Sequence, residues 1–236
     1  MKVIGLIGYT DKYDFAINIA KTINLMEKSV LVIDATLDRK LKYVIPALDN
    51  VGRYYITQYD NIDFAVGFNS MHDVENYMIG QNIKLEKYDY VLIDMDSPKS
   101  YELFRTKGLD KIYFFVETSV LSVEKNKDII KALRIYNQNE KIKMSKVIYR
   151  SYISRAASDY FDKKIAGYGV EWNEPIYEIP LEDTDKIVSI DSQFGGYIDI
   201  RRHTKVYIAN LADLAAEIME NVNSKEIITQ IKRRKI

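Results

Sequence analysis

The residues best suited to chemistry in this 236-residue chain stand at the ends of short apolar runs. After Val3 to Ile7 comes the turn Gly8-Tyr9-Thr10-Asp11-Lys12-Tyr13-Asp14. Such a turn binds phosphate when glycines let consecutive backbone N–H groups converge on an anion at a helix N-terminus, with a lysine adding charge. Only Gly8 and Lys12 fit that role, and the same pair also suits an ordinary strand-to-helix connection. Asp34 closes the run Val30 to Asp34, and Asp94 closes Tyr90 to Asp94. Ligands of open α/β sheets bind at the carboxyl ends of the strands. Both aspartates are therefore candidates for that cleft; the alternative is that they cap neighbouring helices or turns. His72 and His203 are far apart, a placement more common for surface or hydrogen-bonded histidines than for metal ligands.

The elements that would carry these residues follow from periodicity. Near-continuous apolar runs mark strands buried on both faces at Val3 to Ile7, Val30 to Asp34, Tyr90 to Asp94, Ile112 to Val116, Lys146 to Tyr149 and, more weakly, Ile176 to Ile179. Ile62 to Val66 is a further short strand. Phe15 to Met26 has apolar residues recurring at three and four, which predicts a helix with one buried stripe and completes a βαβ unit. Helices are also predicted over Met71 to Ile79, Val123 to Tyr136, Arg155 to Ile165 and Val206 to Val222. Strands alternating with helices predict an α/β fold, a doubly wound and mostly parallel sheet with helices on both faces. No repeat or Pro/Gly-rich linker divides the chain, so residues 1–222 form one domain and residues 223–236 a basic amphipathic tail.

Composition removes several classes of function. Lysine plus arginine equals aspartate plus glutamate at 34 each, so no global basic field holds nucleic acid. The absence of cysteine excludes disulfides, thiolate metal sites and cysteine nucleophiles, and suits a reducing compartment. No metal site is expected. The nineteen tyrosines are read as replacements for Phe and Leu at half-buried positions rather than as chemistry. The chain opens directly on a strand-like run with no secretion signal, and no apolar run reaches membrane-spanning length, so a cytoplasmic protein is expected.

Taken together, three strand ends resemble the MinD/ParA superfamily of deviant Walker A P-loop ATPases over nearly the full chain. The family motif K-G-G-V-G-K-[ST]-[ST] has its counterpart in Ile7-Gly8-Tyr9-Thr10-Asp11-Lys12-Tyr13-Asp14, at the same offset from Ala16-Ile17-Asn18-Ile19-Ala20. Val30-Leu31-Val32-Ile33-Asp34-Ala35-Thr36 keeps one acid of the family's D-x-D. Tyr88-Asp89-Tyr90-Val91-Leu92-Ile93-Asp94 matches the Walker B strand most specifically, and Phe115-Val116-Glu117-Thr118-Ser119-Val120-Leu121-Ser122 resembles a downstream strand and loop. The resemblance implies a nucleotide site at Gly8, Thr10, Asp11, Lys12, Tyr13, Asp34 and Asp94.

The departures fall where the family's chemistry is done. Ile7 replaces the signature lysine that reaches across the dimer. Tyr13 stands at the Ser/Thr position that ligates Mg²⁺, and Asp11 brings a carboxylate against the β-phosphate position. Thr36 replaces the second acid, which orients the attacking water, and Tyr149 sits near the family's adenine-facing asparagine. Phosphoryl transfer depends on positioning and charge neutralisation, so losing several parts together implies a pseudo-ATPase with no catalytic residue. Any ATP or ADP would be held weakly or in an atypical pose, without ordinary magnesium ligation.

The function this implies is that of a spatial organiser, similar to the TadZ-like localisation proteins of Tad pilus systems. It would act as a homodimer on protein partners of a localisation, secretion, pilus or partition apparatus. The rival is a working partition or division-site ATPase cycling on DNA or membrane, with DNA the less expected surface. A third reading, a tyrosine-kinase relative, lacks the C-terminal tyrosine cluster. Ile227, Ile228 and Ile231 share one side of a tail helix followed by a basic block, resembling the MinD membrane-targeting helix. The tail is either a peripheral anchor at the inner face of the membrane or a solvated terminus. Arg150 and Arg201-Arg202-His203 are either a local basic patch or scattered surface charges.

Overall fold

The computed structural model describes residues 1–45, 52–138, 141–151 and 155–233, with side chains from 151 to 158 left aside. In chain order its elements are β1 (Lys2–Ile7), α1 (Tyr13–Asn24), β2 (Val30–Asp34), α2 (Leu41–Val44), β3 (Tyr55–Tyr59), β4 (Ile62–Val66), α3 (Met71–Gly80), β5 (Tyr90–Met95), α4 (Pro98–Phe104), β6 (Lys111–Val116), α5 (Val120–Tyr136), β7 (Ile142–Ser151), α6 (Arg155–Ile165), β8 (Val170–Pro180), α7 (Asp183–Gly195), α8 (Lys205–Met219) and α9 (Ser224–Arg233). The strands form one sheet in the order β3-β4-β2-β5-β1-β6-β7-β8. All neighbours are parallel except β3, which runs antiparallel to β4. The fold class read from the sequence is the one observed.

Alternation along each strand divides the core in two, because successive side chains point to opposite faces. Ile4, Leu6, Val32 and Leu92 face α1, α8 and α9 in one cluster. Val3, Ile7, Ile33, Val91 and Ile93 face α3, α4, α5 and α6 in the other. Burial on both faces explains why β1, β2 and β5 lack a polar alternation and were legible as apolar runs.

Several elements differ from the sequence expectation. β7 and β8 run well beyond Lys146–Tyr149 and Ile176–Ile179: β7 begins with buried Ile142 and Met144 alternating with exposed Lys143, and β8 is an edge strand whose Asn173, Glu174 and Pro175 are exposed and read as polar. Tyr55–Tyr59 is an edge strand that patterning missed; its cue is Asp60-Asn61, a two-residue turn with φ of 46° and 65° leading into β4. α4 is only seven residues long and is defined by its start, with Ser97 as N-cap of a capping box and Pro98 in the first turn. α7 was also missed, since much of its apolar content, including Ile187 and Phe194, faces outward. Among the described residues no helix is long and apolar enough to cross a membrane.

Candidate functional site

Parallel strands align their carboxyl ends, so the loops after β1, β2, β5 and β6 converge on one cleft of about 330 Å³. Asp34 and Asp94 are register partners on β2 and β5. Of the residues singled out in the sequence, Thr10, Asp11, Lys12, Tyr13 and Asp94 line the cleft; Gly8 and Asp34 are not among its walls. Asp38, Lys40, Asp96, Glu117 and Arg150 join it from other loops. Of these, Asp96 had a legible cue, since it follows Asp94 by two in a run leaving a strand. Arg150 had the cue that it directly follows the apolar run Lys146 to Tyr149; its backbone there has a φ of 53°.

The loop after β1 is held by the protein itself. Gly8 N donates to Met95 O at 3.0 Å and Thr10 N to Gly8 O at 2.9 Å. Tyr9 N donates to Asn126 Oδ1 at 2.7 Å, and Ser122 Oγ donates to Tyr9 O at 3.1 Å. Thr10 Oγ1 donates to Glu117 Oε1. Three consecutive N–H groups that a phosphate loop would turn to its anion therefore face protein acceptors. Among the described residues no acceptor faces the amides of Asp11, Lys12 and Tyr13, so the remaining anion-binding capacity lies at the start of α1. Gly8 is required by close approach: at φ 146° an added Cβ would lie 2.2 Å from Phe115 O.

Lys12 is directed inward. Its side chain is fully buried; Nζ donates to Gly8 O at 2.9 Å and Met95 O at 3.1 Å and lies 2.7 Å from Asp94 Oδ1. Asp94 Oδ1 receives no well-directed hydrogen bond, so the pairing is one of charge with charge. Burial pushes the Asp94 carboxyl up and the Lys12 cation opposes that shift. Asp96 is likewise pushed up by burial.

Asp34 does the capping work that was its alternative reading. Oδ1 accepts from Thr36 N at 3.1 Å and Thr36 Oγ1 at 2.6 Å, while Oδ2 accepts from Leu41 N at 2.9 Å at the start of α2. Burial and then the neighbouring Asp94 raise its pKa to about 6 despite these bonds. Tyr13 packs its ring on the α1-side core with Lys186 Nζ 5.6 Å from its centroid.

The cleft is acidic. Asp11, Asp38, Asp94, Asp96 and Glu117 supply five carboxylates against Lys12, Lys40 and Arg150. Each cation already has a partner: Lys12 with Asp94, Lys40 with Asp11 at 3.0 Å, Arg150 with Asp14 at 3.1 Å. Tyr149 is buried and donates its hydroxyl to Asp14 Oδ1 at 2.9 Å, so its polar end is engaged within the protein.

The other candidates resolve into local roles. Arg201 bonds Asp199 and Arg202 bonds Asp191, so with His203 buried between Asn18 and Asp185 these residues form no basic patch. His72 is exposed beside Asn76. Ile227 and Ile231 are buried in the α8-side core, with Ile228 partly so; Arg234, Lys235 and Ile236 lie outside the described residues.

No protein-family model matches the chain, and no curated protein matches it. Solved structures do. The chain is 16% identical to a chain of the MinC:MinD cell division protein complex of Aquifex aeolicus, with a TM-score of 0.65 over 93% of this chain and 96% of that one. A plasmid partition protein of Borrelia burgdorferi bound to AMPPNP gives 14% identity and a TM-score of 0.63, covering 94% and 99%. Apo McdA of Cyanothece gives 14% and 0.55, covering 97% and 99%. Identities this low speak to backbone architecture and leave the sites to be argued from their own residues. On that architecture, the chain has the fold of the MinD and ParA ATPases.

Proposed function

We propose that this chain is a ParA/MinD-like spatial organiser that has lost nucleotide turnover and acts as a homodimer through protein partners. The observation that supports this most directly is that Lys12, at the cleft wall, has its buried Nζ engaged by Asp94 and two carbonyls instead of free for an anion. A second support is charge: a triphosphate entering a cleft with five carboxylates and three occupied cations meets net repulsion. Catalysis of phosphoryl transfer consists almost entirely of positioning and charge neutralisation, and both are missing.

The test is an assay of magnesium-dependent ATP hydrolysis with purified protein. No turnover above a heat-treated control is expected. Hydrolysis that disappears in Lys12→Ala, with the variant's fold verified by circular dichroism, would overturn the proposal. A cycling ATPase remains the second reading, favoured by the unpaired amides at the start of α1 and by the AMPPNP carried by the Borrelia protein of the same fold. That reading requires nucleotide-dependent dimerisation, and light-scattering mass measured with and without ATP and magnesium separates the two.

A further inference from the structure

A second cavity, of about 710 Å³, opens at the opposite end of the sheet. β6, β7 and β8 run parallel, so their first residues gather at one edge, about 20 Å from the loop cleft by the length of the six-residue β6. The volume is well inside the range of sites that hold small molecules. Leu109, Ile112 and Ile142 give the cavity apolar walls. Arg105, Lys141 and Lys143 line it against one carboxylate, Glu171, which lies 3.4 Å from Lys141.

Arg105 is the informative residue. Its guanidinium carbon is stacked 3.7 Å from the centroid of the Tyr136 ring, which fixes the side chain in place. Its Nε is sealed from water and has no hydrogen-bond acceptor. Among the described residues no carboxylate pairs with Arg105 or with Lys143. With Nε sealed, only the rest of the guanidinium can meet a ligand, and Arg105 and Lys143 line the cavity as cations whose charge no carboxylate neutralises among the described residues. Tyr101, also on the wall, accepts from Asn137 Nδ2 at 3.3 Å and keeps its own proton without an acceptor among the described residues.

We propose that this cavity binds a small organic anion, with the phosphate or carboxylate head on Arg105, Lys143 and the Tyr101 hydroxyl and the apolar body against Leu109, Ile112 and Ile142. Arg105 carries the specificity, since a planar guanidinium grips an oxyanion through two parallel bonds and a lysine cannot. The site is independent of the loop cleft and of the function proposed for it.

The experiment is isothermal titration of the full chain with phenyl phosphate, phenylacetate, inorganic phosphate and the neutral control benzyl alcohol. One or both aromatic anions should bind, more tightly than inorganic phosphate, and benzyl alcohol should not. Which of the two binds more tightly identifies the head group. Arg105→Gln and Arg105→Lys should each weaken that binding at least tenfold, and Lys143→Gln several-fold. Lys143 is exposed, so its variant folds even if those at Arg105 do not. Lys40→Gln, in the far cleft, should leave affinity unchanged. The proposal is overturned if neither aromatic anion binds at millimolar concentration, if the neutral control binds equally well, or if Lys40→Gln abolishes binding while Lys143→Gln does not.

Discussion

Lys12 stands one residue before a helix, where a phosphate-binding lysine would stand, yet its charge is neutralised inside the protein. Removing one member of a buried pair strands the other, at a cost of about 3–5 kcal/mol, whereas replacing both by apolar groups is often nearly neutral. Lys12→Met should therefore destabilise the fold by about 3–5 kcal/mol in urea unfolding, and Lys12→Met with Asp94→Leu should recover most of the loss. If the single variant is as stable as the parent, the pair is not structural. Asp34 makes a pH-dependent contribution of opposite sense to an ordinary ion pair. Its folded pKa of about 6 exceeds its unfolded value of 3.8, so the folded state binds the extra proton between them. Stability from this group is present below pH 3.8 and is lost as pH rises through 6, about 3 kcal/mol in total. Measured against the parent, Asp34→Asn should flatten that part of the stability profile; an unchanged slope would refute the assignment.

At the scale of elements, the loop after β1 is kept in shape by the segment from β6 into α5. Asn126 is fully buried and uses both ends of its amide, accepting from Tyr9 N and donating to Phe115 O at 3.3 Å. Asn126→Leu should leave the Tyr9 amide without its acceptor, and hydrogen exchange at Tyr9 should speed up at least tenfold while exchange in β5 stays unchanged. Equal protection in both proteins would show that the clamp is dispensable. α9 belongs to the same argument. Its amphipathic pattern was legible, but the pattern cannot say whether the apolar side faces lipid or protein. Ile227 and Ile231 close the core over α8, so Ile231→Asp should cost at least about 2–5 kcal/mol, as deletion of a buried aliphatic chain does. A variant as stable as the parent would return the tail to the membrane-anchor reading.

For the whole molecule, the question is whether nucleotide governs assembly. With 34 basic and 34 acidic residues the chain has no net charge, so the proposed self-association would rest on local complementarity rather than long-range attraction. A cleft whose cations are all paired gives ATP little difference in affinity between monomer and dimer, and a ligand without differential affinity shifts no equilibrium. Light-scattering mass should therefore be the same with and without ATP and magnesium. A mass that doubles only with nucleotide would establish the cycling ATPase. The sequence alone determined the parallel sheet, because strands buried on both faces must be apolar throughout and their helices must show one stripe. It determined as well the identity and order of the loop residues Gly8 to Tyr13 and the aspartates ending β2 and β5. The hairpin at Asp60-Asn61 was within its reach through turn chemistry. What only the tertiary structure decided is where charged side chains point. Lys12 could face an anion or a carboxylate, Asp34 a cofactor or a backbone amide, and Ile231 a bilayer or α8. Each choice depends on partners more than 80 residues away for Lys12, and on burial that no local pattern records. Periodicity reports which face of an element is dry, and three-dimensional packing alone settles what that face and its charges meet.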